Sequence, residues 1–249
     1  MIRVVLALAL IALIAPGAAG GRPSEAGPEA KPSPPVATEA DAPIAPSAAT
    51  IRVADWIAAS GDNLGLPYAI VDKTMASLFL FDATGKPLGR VPVLIGIAVG
   101  DDATPGVGSK KLGEIGPAEK TTPAGRFLAK FGLAAGRRKV LWVDYANSVA
   151  IHPIPADASK SERRRERMLS PASDDNRITF GCINVPMAFH GKVMRPLFQR
   201  KGGYVYVLPD TKPLEAVFPR LRVQAFMNGS ALSAAPVSNG SLEVQDPAR

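Results

Sequence analysis

Residues 68–97 offer three runs of β-branched, aliphatic and aromatic residues, separated only by residues that favour tight turns. Tyr68-Ala69-Ile70-Val71-Asp72-Lys73 and Ser77-Leu78-Phe79-Leu80-Phe81-Asp82 read as strands, and residues 89–97 as a third after the turn Asp82-Ala83-Thr84-Gly85-Lys86. Connections this short cannot hold a crossover, so the three predict an antiparallel meander. Further strands are expected over residues 125–131, 140–145 and 148–152, into Cys182, and over 204–208. Helical composition is sparse: residues 55–60 lead into the domain, and residues 187–194 follow Cys182, with Pro196 limiting how far that helix runs. Residues 101–120 read as a surface loop, because Gly106-Val107-Gly108-Ser109-Lys110 fits neither phosphate-loop spacing.

The sequence holds one cysteine and two histidines. The cysteine, Cys182, stands in Arg177-Ile178-Thr179-Phe180-Gly181-Cys182-Ile183-Asn184-Val185-Pro186, and His152 lies upstream in Ile151-His152-Pro153. A lone cysteine has no intramolecular disulfide partner, which leaves a packed thiol, an intermolecular bridge or a nucleophile. As a nucleophile it needs a base, and His152 is a candidate: an imidazole that takes the proton leaves a thiolate at neutral pH. Gly181 lets the main chain approach a substrate closely, so the N–H groups of Gly181 and Cys182 are the natural oxyanion donors. His190 reads as a partly exposed helical histidine with no catalytic part. The histidines and cysteine lack metal-ligand spacing, and no Gly-x-Ser-x-Gly elbow occurs, so neither metal nor cofactor is expected.

The run Thr179-Phe180-Gly181-Cys182-Ile183-Asn184, with His152 upstream, resembles the signature of the L,D-transpeptidase family of bacterial wall enzymes. Thr121-Thr122-Pro123-Ala124-Gly125-Arg126-Phe127 resembles the stretch that precedes a core strand in that family. Phe180 departs from the signature by replacing a second histidine, Pro153 stands where a glycine is often found, and the gap between His152 and Cys182 is longer than usual. The resemblance spans residues 66–208 and implies a mostly β, β-rich α+β domain, a mixed-sheet sandwich with one or two short helices. It implies a cysteine-dependent acyltransferase of peptidoglycan biosynthesis, with a part in cell wall organisation and cell shape. Cys182 would form a thioester with a tetrapeptide stem and pass it to an amine, giving a 3-3 crosslink or an attached protein. His152 would be the base, with Thr179, Asn184 and Arg177 binding substrate or orienting the loop. Stem peptides are the implied partners and carbapenems the covalent inhibitors. An L,D-carboxypeptidase of the same thiol chemistry and a non-catalytic wall-binding protein on the same fold are the alternatives.

Residues 1–20 combine Arg3, an apolar run and a small-residue end, the pattern of a secretory signal with cleavage after Ala19 or Gly20. Export to the periplasm or cell wall follows, without a stable membrane span after cleavage. Residues 21–50, rich in Pro and Ala, read as a disordered spacer, residues 51–65 as a lead-in helix, and 209–249 as a C-terminal extension disordered from about 228. Two Asn-Gly-Ser sequons, at Asn228 and Asn239, read as chance. The net charge of +7 lacks the aromatic interleaving of a nucleic-acid surface, so stem-peptide carboxylates and anionic lipids are the expected polyanions.

Between His152 and Cys182 lies a charged insert, with Ser159-Lys160-Ser161-Glu162 as a capping box followed by Arg163-Arg164-Arg165-Glu166-Arg167. Such a run usually forms a solvated helix face, and that is the expectation here. Its tether places it at the border of the cleft, where arginine contact with an anionic peptide is the alternative.

Overall fold

The computed structural model describes residues 45–222; the expected signal, most of the spacer, both sequons and the end of the C-terminal extension lie outside the described residues. Ten strands are present: β1 (Tyr68–Asp72), β2 (Ser77–Phe81), β3 (Pro87–Pro92), β4 (Ile95–Gly96), β5 (Gly125–Leu133), β6 (Lys139–Asp144), β7 (Val149–Pro153), β8 (Arg177–Thr179), β9 (Ile183–Val185) and β10 (Gly203–Val207). Eight of them form one mixed sheet in the order β3-β2-β1-β10-β5-β6-β7-β9, and β4 pairs with β8 apart from it. The meander β1-β2-β3 is antiparallel, as its short turns require, whereas β1–β10 and β7–β9 are parallel. The fold is thus mostly β, with a large mixed sheet curled on itself.

Strand β5 does the curling. Gly125 to Ala129 pair with β10, while Lys130 to Leu133 pair with β6, so one long strand belongs to both halves. Side chains alternate across a strand, and the inward set from both halves meets in one core: Val71, Leu80, Val205, Leu141, Ile151 and Ile183. The opposite faces of β1 and β10 carry Tyr68, Ile70, Tyr204 and Tyr206. A helix, α1 (Ala48–Ser60), covers them with Val53, Trp56 and Ile57, and Phe218 and Leu221 near the chain's described end complete that second core. Strands β1 and β10 are buried on both sides, which accounts for their continuous apolar runs.

Three local expectations change. The spacer ends earlier than residue 50, because Ser47 already caps α1 by accepting from the Thr50 N–H (3.0 Å). The single strand over residues 89–97 is broken: Pro92 has no N–H to continue the ladder, and Val93 and Leu94 carry the chain inward to β4. The helix after Cys182 runs through Pro196, as α3 (Met187–Phe189), a π turn (His190–Met194) and α4 (Arg195–Phe198). The wider π turn precedes the proline and offsets the carbonyl that its ring would meet in a regular helix.

A buried ionic cluster pins the long loop 101–120 to the sheet. Lys73, at the end of β1, donates to the Gly100 carbonyl (2.5 Å), the Asp101 carboxylate (3.0 Å) and the Thr122 carbonyl (3.0 Å), with Asp210 at 3.3 Å. Burial opposes the Asp101 charge, but the N–H groups of Asp210 and Lys212, the Thr211 hydroxyl and Lys73 hold its carboxyl well below the usual range. Replacing Lys73 by methionine leaves the buried Asp101 carboxylate without a counter-ion and Asp210 with Arg177 alone. A loss of ~3–5 kcal/mol is expected in urea denaturation; a loss below about 1 kcal/mol would mean that the cluster is dispensable.

Candidate active site

Cys182 lies in the bend between β8 and β9, and three hydroxyl and carbonyl contacts shape that bend. Thr179 donates from Oγ1 to the Cys182 carbonyl (2.6 Å) and accepts from the Gly181 N–H (3.2 Å). Thr122 donates to the Gly181 carbonyl (2.8 Å) while accepting from the Gly96 N–H (2.9 Å). Gly181 has φ +121°, and a Cβ there would stand 2.6 Å from the Thr121 carbonyl oxygen. No side chain fits that position. The stretch around Thr121 and Thr122 is therefore the floor under the Cys182 loop, a role its sequence did not disclose.

His152 arrives on β7, in parallel register beside Asn184 of β9. His152 and Asn184 are thus neighbours in the sheet, and Cys182 stands two residues before Asn184, in the bend that leads into β9. The His152 Nδ1 lies 2.7 Å from the Pro153 carbonyl and 3.4 Å from the Asn184 Nδ2. A carbonyl only accepts, so the shorter contact places the proton on Nδ1 and leaves Nε2 free to take another. The Cys182 thiol donates to the Ser148 carbonyl (3.5 Å), and no hydrogen bond joins it to His152. Ser148 ends the β6–β7 turn with φ +58° and donates from Oγ to the Gly108 carbonyl (3.1 Å). Gly108 is a packing glycine, since a Cβ would strike the Ala146 carbonyl.

Burial pushes the Cys182 thiol up; a backbone hydrogen bond at Ala150 and the Arg164 charge act against this without cancelling it. Burial lowers His152, a shift opposed by the Pro153 carbonyl and increased by the Arg138 and Arg164 charges. Both shifts favour the neutral forms. They run against the expectation of a thiolate at neutral pH, favouring a neutral thiol and a neutral imidazole.

The remaining residues singled out from the sequence divide. Thr179 is buried and staples the loop. Arg177 gives its guanidinium to Asp210 (2.7 Å) and the Ala98 carbonyl (3.5 Å), away from the thiol. Asn184 is buried, and its Oδ1 accepts from Arg164 (2.9 Å). Phe180 is 37% exposed, with the Lys120 ammonium 3.8 Å from its ring centroid, a cation–π contact beside the nucleophile. His190 is only 7% exposed, which corrects the expectation of a partly exposed histidine; it packs edge-on to Phe131, and its Nε2 has no partner. The insert differs as well: Ser159 caps nothing, and the segment splits into a 3₁₀ turn (Lys160–Glu162) and α2 (Arg164–Met168).

No family model and no curated protein matches the chain. Among solved structures it resembles an L,D-transpeptidase from Xylanimonas cellulosilytica, with 12% identity over 57% of this chain and 60% of that one, at a TM-score of 0.33. The helical cell shape determining protein Pgp2 from Campylobacter jejuni is 14% identical over 76% of this chain and 65% of that one, at 0.41. The catalytic domain of the E. faecium L,D-transpeptidase is 20% identical over 57% of this chain and 96% of that one, at 0.32. The chain spans less than two thirds of the length of the first two.

Two outcomes are expected. Gly181→Ala should displace the Cys182 loop and abolish alkylation and turnover while far-UV dichroism stays unchanged; full activity would show that the loop tolerates a Cβ. Burial, then the His152 and Arg195 charges, push His190 down to about 4. Unfolded imidazole titrates near ~6.5, so the unfolded chain binds a proton that the folded one refuses. Stability should therefore fall as pH drops from ~6.5 towards the folded value. His190→Leu should remove that part of the slope when urea midpoints are compared at about pH 7 and about pH 4.5; an unchanged slope would place the acid sensitivity elsewhere.

Proposed function

We propose that the chain is an exported peptidoglycan L,D-transpeptidase of the periplasm or cell wall. The observation that supports the reading is that His152, its Nδ1 proton held by Pro153, pairs in parallel register with Asn184, two residues after the glycine-preceded Cys182. The signature residues Thr179, Gly181, Cys182, Ile183 and Asn184 supply the substrate class by resemblance. Among the described residues no helix is long and apolar enough to cross a membrane.

In this mechanism the thiol swings from the Ser148 carbonyl towards His152, since catalytic hydrogen bonds in unliganded enzymes are often formed only with substrate. The His152 Nε2 takes the thiol proton as sulfur attacks the carbonyl of the third stem residue. The Gly181 N–H is engaged by Thr179, so the Cys182 N–H is the oxyanion donor we assign. Collapse breaks the amide bond; the imidazolium returns its proton to the departing D-Ala amine, leaving a Cys182 thioester. An acceptor amine then attacks, gives a proton to His152 and releases the thiol. A carbapenem enters the same route through its strained carbonyl and stays as the acyl group.

The test is incubation with defined muropeptides and mass spectrometry. Wild type should yield 3-3 linked dimers and a carbapenem adduct on Cys182, both lost in Cys182→Ala with the fold retained. His152→Ala should slow acylation about a hundredfold or more, and His190→Ala far less. Because the working base is a neutral, down-shifted imidazole, the acid limb of kcat/KM should lie below ~6.5. Tripeptide without dimers would indicate the L,D-carboxypeptidase. No adduct and no product would favour the non-catalytic wall binder.

A further inference from the structure

Of the insert's arginines, Arg163 is 70% exposed at its side chain while Arg164 is 12% exposed. The backbone makes that difference: Arg163 sits at φ +47°, a left-handed kink between the 3₁₀ turn and α2 that turns its successor inward. Such a conformation is costly for a residue with a side chain and persists only where neighbours enforce it. Here they do. Met168 is buried under α2, Asn176 donates to the Val93 (2.8 Å) and Met168 (3.3 Å) carbonyls, and Arg167 holds the Asp175 (2.7 Å) and Arg177 (3.2 Å) carbonyls. The insert is clamped to the strand that leads into the nucleophile loop.

Glu162 grips one edge of the Arg164 guanidinium, at Nε (2.7 Å) and NH2 (3.4 Å), and leaves NH1 for the Asn184 Oδ1 (2.9 Å). That bond sets which way a buried amide points. With Oδ1 on the cation, the Asn184 NH2 faces His152, and the Nδ1–H of the ring has one acceptor, Pro153. Were Asn184 to flip, its Oδ1 would compete for that proton and pull the ring out of line.

We propose that Arg164, aimed by Glu162, is a positioning residue for His152: it holds the Asn184 Oδ1 away from the ring, so that the Nδ1–H keeps Pro153 as its acceptor. The proposal rests on the thiol chemistry of the preceding reading and does not depend on the identity of the acyl donor. The charged groups that reach the pair are Arg138 from before β6, Arg164 from the insert with Glu162 beside it, and His190 from the π turn. Of these, Arg164 is the one that hydrogen-bonds Asn184, whose amide lies 3.4 Å from the His152 ring nitrogen.

The experiment measures iodoacetamide alkylation of Cys182 against pH, and muropeptide turnover, in wild type, Arg164→Met, Arg164→Lys, Asn184→Ala, the double variant Arg164→Met/Asn184→Ala, and Arg165→Met as an exposed control. Arg164→Met should move the alkylation midpoint upward and lower kcat about tenfold with little change in KM. Arg164→Lys, which keeps the charge but not the fork, should recover the midpoint more than kcat. The double variant should be little worse than Asn184→Ala alone, and Arg165→Met should match wild type. If Arg164→Met and Arg164→Lys both alkylate and turn over like wild type, or the Arg164 and Asn184 effects simply add, the proposal is overturned while the transpeptidase reading stands. If wild type yields no muropeptide product but Arg164→Met still shifts the alkylation midpoint, the positioning role survives and the substrate assignment falls.

Discussion

The contact on which the site depends is the approach of Thr121 and Thr122 to Gly181. A carbonyl oxygen occupies the space where a Cβ would be, and the Thr122 hydroxyl fixes the Gly181 carbonyl. The same Thr122 offers its own carbonyl to Lys73, whose charge is buried between Asp101 and Asp210. A continuous chain of bonds thus runs from the end of β1, through the loop before β5, to the residue preceding the nucleophile. Thr179 then ties Gly181 to the Cys182 carbonyl. The reactive sulfur is held by side chains from segments far apart in sequence, so its position is a property of the closed sheet rather than of the bend.

An ionic cluster is an unusual choice for such an anchor, because desolvating three charges consumes most of what their attraction returns. What it supplies is direction. Asp101 accepts from the Asp210, Thr211 and Lys212 N–H groups, so the carboxylate orders the chain after β10 as well as the loop before β5. Arg177 joins from β8 through Asp210. An apolar plug could fill the space, but it would leave those backbone donors without acceptors.

The strands were legible where burial gives a strong signal: β1, β2 and β10 are β-branched and aromatic runs, and their ends fall within a residue or two of expectation. The broken strand around Pro92 and the helix that continues through Pro196 were not, because each depends on a tertiary partner, Leu94 on Asn184 and the π turn on the core beneath it. The insert shows the limit best. Its arginines look alike in sequence, yet Arg163 pairs with Glu166 in solvent, Arg164 reaches Asn184, and Arg167 grips two carbonyls. Which arginine turns inward is decided by one left-handed residue and by acceptors remote in sequence. His190 was misread for a related reason: its surroundings include Phe131 from a strand far upstream.

The electrostatic state of the site follows from these placements. A cysteine and histidine at the surface could rest as an ion pair, but here burial disfavours both charges, and the nearest cations oppose an imidazolium. The balance therefore favours the proton on sulfur. A neutral thiol in a half-buried bend is a poor target for stray electrophiles. Arg164 shapes the same balance from the other side: its charge raises the cost of protonating His152 and lowers that of an anion on Cys182. That charge is carried by an insert fastened to β8 through Arg167, so its position is fixed by the fold and not by a free loop.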